Sequence, residues 1–193
     1  LDDINTEEWT PEFTTELLRT GSGDIEADAF VVALGMGSLQ LLAPLGVSLP
    51  LYPLKGYSLT VPIDASHSAP RVSISDTHHK VVYAPLGERL RVAGMVDITG
   101  MSAKPDLTRL DLLARQARET FPNGGDYGRA QTWCGQRPAT PSGKPLLGGT
   151  AYDNLWLNTG HGALGFTLAC GSAQLVADCI GQHQPELDVM LFR

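Results

Sequence analysis

The chain has 193 residues, of which 42% are hydrophobic and 18% charged, with 21 glycines and 13 prolines. This composition is typical of a globular protein that is rich in turns and long enough for one large or two small domains. The formal charge of −7, without any cluster of lysine or arginine, argues against nucleic acid as a partner.

The first predicted elements are a strand and a short helix joined by glycines. A turn cluster at residues 20–24 is expected to reverse the chain before the apolar run at residues 29–34. Continuous apolar runs favour strands that are buried on both faces, as in a parallel sheet. Gly35 and Gly37 then lead into a short helix predicted at residues 39–45. A strand, a glycine turn and a helix start together indicate a candidate ligand site.

The middle of the chain is rich in short β-type segments, several of which alternate in polarity. The predicted strands are residues 57–61, 71–74, 80–84 and 89–95. Residues 85–88 contain proline and glycine and are expected to form a hairpin loop, so these segments predict an antiparallel sheet. In residues 106–121, apolar side chains recur at spacings of three and four, which predicts an amphipathic helix packed on that sheet.

The last third combines a loop with a second strand, glycine turn and helix. Residues 132–145 hold so many prolines and glycines that little regular structure is expected. A short strand at 155–158 leads through residues 159–162 into a helix at 164–180, which Gly181 closes. The predicted organisation is an antiparallel module between two pieces of a glycine-turned α/β layer, without internal repeats.

Residues 160–165 satisfy the GxGxxG pattern of dinucleotide-binding proteins. That fingerprint requires a complete βαβ unit with an acidic residue about 20 positions onward, which does not follow here. An NAD-dependent dehydrogenase is therefore disfavoured. Backbone N–H groups at the helix start still favour a negative or electron-rich ligand atom. Alternatively, the glycines serve only to permit a tight turn and close packing.

Few other side chains suggest chemistry. The guanidinium of Arg137 is suited to a substrate carboxylate, although a surface position is the commoner role for a single arginine. His161 has no accompanying nucleophile elbow and is expected to be structural. His78 and His79 have no partner at metal-ligand spacing, and HExxH is absent, so no metal site is predicted.

Cysteine usage and hydropathy bear on the compartment. Cys134, Cys170 and Cys179 form no CxxC pair, which favours a reduced cytoplasmic setting. No stretch is expected to reach the roughly 20 apolar residues of a membrane-spanning helix. Because the first residue is leucine and not methionine, we expect the chain to be a piece of a longer protein.

Three segments resemble one group of flavoenzymes. Residues 52–60, 135–145 and 158–171 closely resemble, in order and spacing, the C-terminal half of bacterial D-amino-acid dehydrogenases. The last segment is also similar to D-amino-acid oxidases, glycine oxidases and sarcosine oxidases. The resemblance implies an α+β fold, in which an antiparallel substrate-domain sheet is interleaved with fragments of a glutathione-reductase-like α/β FAD-binding domain. It assigns residues 1–50 and 136–193 to the FAD-binding domain and residues 51–135 to the substrate-binding domain.

The resemblance also implies which residues meet the cofactor and the substrate. Arg137 matches the arginine that binds the substrate carboxylate, and Tyr57 is expected to line the substrate pocket. No side chain is implied as a catalytic acid or base. The expected FAD contacts lie in two glycine turns and one helix start: Gly35, Gly162, Ala163, Gly165, Phe166 and Thr167.

The implied activity is FAD-dependent oxidative deamination of D-amino acids to 2-oxo acids and ammonia, by hydride transfer from Cα to flavin N5. Electrons would pass to a quinone or another carrier, and the protein would be cytoplasmic and peripheral on the inner membrane. The family's pyrophosphate fingerprint belongs to an N-terminal FAD-binding half without a counterpart here, so this chain alone is expected to bind FAD poorly. The alternatives are a glycine or sarcosine oxidase-like enzyme and an inactive binding module.

Overall fold

The computed structural model describes the backbone of residues 17–20 and residues 23–192 in full. Within these residues the chain forms two compact units. The first comprises the described residues up to Tyr52 together with those from Arg137 onward, and the second is Pro53–Gln136. In sequence, the second unit is therefore inserted between two parts of the first.

The described elements include ten strands and three α-helices. In chain order the strands are β1 (Leu17–Thr20), β2 (Gly23–Glu26), β3 (Phe30–Val32), β4 (Tyr52–Pro62), β5 (Ile74–Asp76), β6 (Val81–Pro85), β7 (Arg89–Asp97), β8 (Gln131–Ala139), β9 (Leu146–Gly149) and β10 (Leu155–Thr159). The helices are α1 (Gly37–Leu42), α2 (Leu107–Thr120) and α3 (Gly165–Ile180). The antiparallel pairing of β1 with β2 confirms the predicted chain reversal between them.

The first unit contains a three-stranded sheet in the order β3-β10-β9, where β10 is parallel to β3 and antiparallel to β9. Helix α1 and a following 3-10 turn at Ala43–Leu45 pack beside β3 through buried leucines, and Leu42 is completely buried. The predicted burial of residues 29–34 on both faces is wrong at Val31, which is 45% exposed. Among the described strands, β3 is at the edge of this sheet and pairs only with β10.

An antiparallel sheet in the order β5-β6-β7-β4-β8 confirms the prediction for the middle of the chain. Helix α2 packs on one face of this sheet within the second unit, also as predicted. Leu110, Leu113 and Ala117 form its buried stripe, and each buried leucine contributes about 1.5–3 kcal/mol relative to exposure. The Asp106 carboxylate caps α2 by accepting from Thr108 N at 2.9 Å.

Two segments differ from the predicted structure. Residues 132–145 are not uniformly irregular, because β8 runs through Ala139. A proline lacks the N–H that an interior strand needs, but β8 is at the edge of its sheet and therefore accommodates Pro138. The predicted strand at 71–74 is also misplaced, since β5 begins only at Ile74.

Helix α3 packs in the first unit, where its buried residues Leu175 and Val176 form a cluster with Leu147 of β9. Together with the 3-10 turn before it, it forms a 19-residue helical span, Gly162–Ile180, that is long and apolar enough to cross a membrane. This departs from the expectation that no stretch reaches that length, although core helices of soluble proteins also meet this criterion of length and composition. The combination of parallel and antiparallel sheets with these helices confirms the predicted α+β fold class.

Candidate functional site

A cavity of about 310 Å³ in the first unit brings together the two glycine turns that the sequence predicts separately. It lies where the parallel strands β3 and β10 end, and where α3 begins. Since parallel neighbours have their carboxyl ends at the same edge, their following loops meet there, which is the usual ligand position in such sheets. The residues at the cavity that matter for its chemistry are Gly35, Asn158, His161, Gly162, Gly165 and Ser172.

The glycines of these turns have different roles. Gly35 and Gly162 each have φ of 57°, a conformation that side-chain-bearing residues rarely adopt. A Cβ atom at Gly160 would lie 2.9 Å from Thr140 Cγ2, so this glycine is required for packing. A Cβ atom at Gly162 would meet nothing within 4 Å, because the position faces open space. Packing therefore explains Gly160, whereas Gly162 leaves room for a ligand.

Two buried hydroxyl groups connect the turns. The Ser38 hydroxyl donates to Thr159 Oγ1 at 3.4 Å, and the Thr159 hydroxyl donates to the Gly35 carbonyl at 3.3 Å. Ser38 is completely buried and Thr159 is 2% exposed, so the two hydrogen bonds are shielded from water. They fix the loop after β3 against the end of β10. No sequence motif indicates this pair, because the bonded residues lie more than a hundred positions apart.

The helix start at the cavity has backbone donors that no side chain caps. Neither His161, which precedes the 3-10 turn Gly162–Leu164, nor Leu164, which precedes α3, makes a side-chain capping bond. The first N–H groups of a helix have no intrahelical acceptor, and the helix dipole makes this end electropositive. An electron-rich ligand atom at this position would be stabilised.

Two polar side chains at the cavity were not singled out by sequence as ligand contacts. The Oδ1 atom of Asn158 is buried and has no hydrogen-bond partner among the described residues. His161 Nε2 lies 3.1 Å from the Ser172 hydroxyl, and burial lowers the pKa of His161. Ser172 is not an activated nucleophile, since it lies within α3, is 5% exposed and donates to Leu168 O at 2.9 Å.

The other expected cofactor contacts lie outside this cavity. Ala163, Phe166 and Thr167 are exposed at the start of α3, and Phe166 is 100% exposed. Thr167 instead lines a second cavity, of about 370 Å³, between α3 and the last described residues. The structure therefore brings Gly35, Gly162 and Gly165 together, and leaves the contacts of the remaining three as predictions.

Arg137 lies within β8 and not in an irregular loop. Its side chain is partly buried, and this burial lowers the pKa of its guanidinium because desolvation disfavours the charged form. A partly desolvated guanidinium binds a carboxylate more strongly than one in bulk water. The carboxylate-binding role of Arg137 stays a prediction.

Tyr57 lies in the core of the second unit, where it is 1% exposed. Its hydroxyl donates to Asp97 Oδ2 at 2.8 Å, and burial together with this bond raises the pKa of Tyr57 to about 12. Arg109 also donates to Asp97 and holds the pKa of that carboxyl below its usual value. This geometry favours a structural role for Tyr57, and its predicted place in the substrate pocket stays a prediction.

No group of three or more metal-ligating side chains occurs among the residues that the structure describes.

Parallel strands that end in two glycine turns at one cavity, with an inserted antiparallel unit, define an α+β protein with a candidate ligand site at a helix start. The family described as "DAO: FAD dependent oxidoreductase" matches residues 6–179, and the chain belongs to that family. Its members depend on FAD, which confirms the predicted cofactor class.

The chain is also similar in sequence to curated D-amino acid dehydrogenases. D-amino acid dehydrogenase 2 of Pseudomonas aeruginosa is 57% identical over 171 residues, which are 89% of this chain and 41% of that protein. A D-amino acid dehydrogenase of Paramagnetospirillum magneticum is 51% identical over 163 residues, 84% of this chain and 39% of that protein. The chain thus spans about two fifths of the length of these relatives.

Solved structures share the fold. Glycine oxidase from Geobacillus kaustophilus superposes with a TM-score of 0.79 at 25% identity, covering 98% of this chain and 50% of that one. Iminodiacetate oxidase from Chelativorans sp. BNC1 gives a TM-score of 0.78 at 21% identity, covering 91% and 48%. The chain therefore shares its fold with these two oxidases.

Proposed function

We propose that this chain contributes to an enzyme that uses FAD to deaminate D-amino acids oxidatively, giving 2-oxo acids and ammonia. The observation that carries the proposal is the cavity at Gly35 and Gly162, where two glycine turns leave open space at an uncapped helix start. The 57% identity with D-amino acid dehydrogenase 2 supports the choice of D-amino acids within the family.

The residues at the cavity suit a flavin. The backbone donors at the start of α3 match an electron-rich carbonyl edge, and the buried Oδ1 of Asn158 matches a hydroxyl or imide donor. Gly35, Gly162 and Gly165 would hold the cofactor, with Ala163, Phe166 and Thr167 as further contacts at the helix start. FAD, when bound, supplies the acceptor for the hydride that leaves the substrate Cα.

Arg137 is proposed to orient the substrate by binding its carboxylate through two parallel hydrogen bonds. Orientation of this kind lowers the barrier because the reacting atoms are held near the geometry of the transition state. No side-chain base is assigned, because an amino acid that binds with a neutral amine needs none. Tyr57 is proposed to line the substrate pocket.

Different parts of the chain are proposed to bind the cofactor and the substrate. We propose that residues 1–50 and 136–193 contribute to FAD binding and that residues 51–135 contribute to substrate binding. We also propose that the electron acceptor is a quinone or another carrier and that the enzyme works in the cytoplasm, peripherally on the inner membrane. An N-terminal FAD-binding portion completes the cofactor site in this proposal, since about three fifths of the relatives' length lies outside the match.

A glycine or sarcosine oxidase-like enzyme is the second candidate. The similarity to glycine oxidase from Geobacillus kaustophilus, at a TM-score of 0.79, favours it specifically. The two candidates differ in substrate, since the second would prefer glycine or N-methylglycine and would pass electrons directly to oxygen.

The test uses a chimera in which this chain replaces the matching 171 residues of the Pseudomonas aeruginosa relative. We expect it to form 2-oxo acid and ammonia from D-alanine in the presence of an artificial electron acceptor, and not from L-alanine. Preferential turnover of glycine or sarcosine would support the second candidate. A chimera that binds FAD but turns over none of these amines would support an inactive binding module.

A further inference from the structure

The hydrogen bond between Ser172 and His161 determines which ring nitrogen of the histidine carries its proton. Ser172 Oγ lies 2.9 Å from Leu168 O, 3.3 Å from Ala169 O and 3.1 Å from His161 Nε2. A serine hydroxyl has one hydrogen, and both carbonyl oxygens can only accept. The hydroxyl hydrogen is therefore directed to the preceding turn of α3, as is common for serine within a helix.

It follows that Ser172 Oγ accepts from the histidine, so Nε2 must carry a hydrogen. Burial lowers the pKa of His161 and so favours the neutral ring. A neutral ring with hydrogen on Nε2 has a lone pair on Nδ1. Nδ1 has no hydrogen-bond partner among the described residues, and His161 lines the cavity.

A second acceptor at the same cavity points to the same kind of ligand. Asn158 Oδ1 is buried without a partner among the described residues, and such atoms are rare in folded proteins unless a ligand or water satisfies them. Asn158 and His161, whose side chains have these acceptor atoms, both line the cavity, next to the backbone donors of the helix start. A matching ligand must donate hydrogen bonds and also accept them, as the hydroxyl and imide groups of a flavin do.

We propose that Ser172 is a positioning residue that holds His161 as the Nε2–H tautomer, so that Nδ1 accepts a hydrogen bond from a donor group of the flavin. The inference rests on the proposed function for the identity of the ligand. The tautomer itself rests on the hydrogen bonds of Ser172 and on the burial of His161, and not on the identity of the ligand.

The tautomer is tested first, on the ¹⁵N-labelled chain, by two-bond ¹H–¹⁵N correlation of the histidine ring at pH 7.5. We expect the pattern of a neutral ring with hydrogen on Nε2 for His161. Ser172→Ala should convert it to a mixture of tautomers, and Ser172→Thr should restore it. Gln174→Ala, an exposed change on the same helix, should leave it unaltered. A ring with hydrogen on Nδ1, or an unchanged pattern in Ser172→Ala, would overturn the proposal.

The ligand contact is tested by FAD dissociation constants of the chimera, measured by flavin fluorescence quenching without any substrate. His161→Gln preserves a donor toward Ser172 but removes the Nδ1 acceptor, and should weaken FAD binding roughly 2- to 10-fold. Ser172→Ala should weaken it to a similar or smaller extent, with rescue by Ser172→Thr.

The outcomes separate the two claims. If the unmodified chimera binds no FAD, the proposed function fails while the NMR result still decides the tautomer. If it binds FAD and both His161→Gln and Ser172→Ala bind it equally well, the positioning role fails and the proposed function stands.

Discussion

The Tyr57 hydroxyl donates to Asp97 Oδ2 across a bulge in the pairing of β4 with β7. Lys55 pairs with Asp97 and Tyr57 with Gly94, so β7 carries an extra residue between these pairs. Met95 within the bulge has φ of 64°, a conformation that is uncommon for a residue other than glycine. The bulge directs the Asp97 carboxylate toward both Tyr57 and Arg109, and Asp97 is only 8% exposed.

Removal of either partner should therefore destabilise the second unit. Tyr57→Phe should lower the free energy of unfolding by about 1 kcal/mol, since it removes one hydrogen bond to the Asp97 carboxylate. The hydrogen bond between Asp97 and Arg109 remains in this variant. Asp97→Ala should cost about 2–3 kcal/mol, because it leaves a buried hydroxyl and a guanidinium without their acceptor. Urea unfolding followed by circular dichroism measures both, with the exposed Asp111→Ala as the control.

The same Tyr57→Phe change separates a structural from a substrate role in the chimera. An unchanged KM for D-alanine supports the structural role that the hydrogen bond indicates. A KM that rises several-fold, with unfolding unaffected, would instead place Tyr57 at the substrate.

Acid should weaken the fold through Asp97. Hydrogen bonding by Arg109, and then by Tyr57, holds the pKa of Asp97 below its ordinary value of 3.8. A carboxyl whose pKa is depressed on folding stabilises the protein above its unfolded pKa, and this contribution disappears as the pH falls through the folded pKa. We expect the free energy of unfolding to decrease as the pH is lowered below 3.8. Asp97→Asn should give a shallower dependence over that window, and identical slopes would contradict the assignment.

The end of α3 offers a stabilising substitution. Gly181 follows the last residue of this helix, as the sequence predicts, and the left-handed residue is the next one, Gln182, with φ of 56°. Gln182 N–H donates to Cys179 O, and His183 N–H donates to Asp178 O, which satisfies the last helical carbonyl groups. Gln182→Gly should raise the free energy of unfolding by about 1 kcal/mol, since glycine adopts this conformation without strain. Gln182→Ala, which keeps the Cβ atom, should not stabilise the chain.

Gly162 and Gly46 form a matched pair for the cofactor site. Both have positive φ, and a Cβ atom at either would meet nothing within 4 Å. Alanine at either position should therefore destabilise the fold by about 1 kcal/mol through backbone strain alone. Only Gly162→Ala should also weaken FAD binding by the chimera, by about 10-fold, because only Gly162 lines the cavity. Equal FAD affinities for the two variants would argue against a cofactor at this turn.

Arg137→Ala should lower kcat/KM of the chimera for D-alanine by about 100-fold, mainly through KM, since a charge-assisted bidentate contact is lost. Arg137→Lys should recover little of this, because an ammonium does not reproduce the planar fork. Arg71→Ala removes an arginine at an exposed position of the second unit and is the control, because it should leave kcat/KM for D-alanine unchanged. An unchanged KM in Arg137→Ala would refute the carboxylate role.

Local sequence signals predict the elements that local interactions determine. The apolar spacing predicts α2 within a residue at each end, and the strand, glycine turn and helix around Gly162 are also predicted. The strand through Pro138 is missed because an edge position, which sequence does not reveal, relieves the penalty of proline. The left-handed cap at Gln182 is missed because the neighbouring glycine is the stronger signal.

The side-chain contacts that sequence analysis misses are mostly distant in sequence. Ser38 meets Thr159 across 121 positions, and Tyr57 meets Asp97 across 40 and a bulge. Neither pair has a motif, because one hydroxyl or carboxylate can find its partner anywhere in the chain. The His161–Ser172 bond is local, at a separation of 11, but depends on the angle at which the glycine turn enters α3.

The most direct test of the account is the visible spectrum of the FAD-loaded chimera under anaerobic conditions, before and after D-alanine is added. We predict that the flavin absorbance bleaches when D-alanine is added and remains when L-alanine is added. The Arg137→Ala variant should need a far higher concentration of D-alanine for the same bleaching. A flavin that is bound but stays oxidised with D-alanine would contradict the proposed oxidation of D-amino acids.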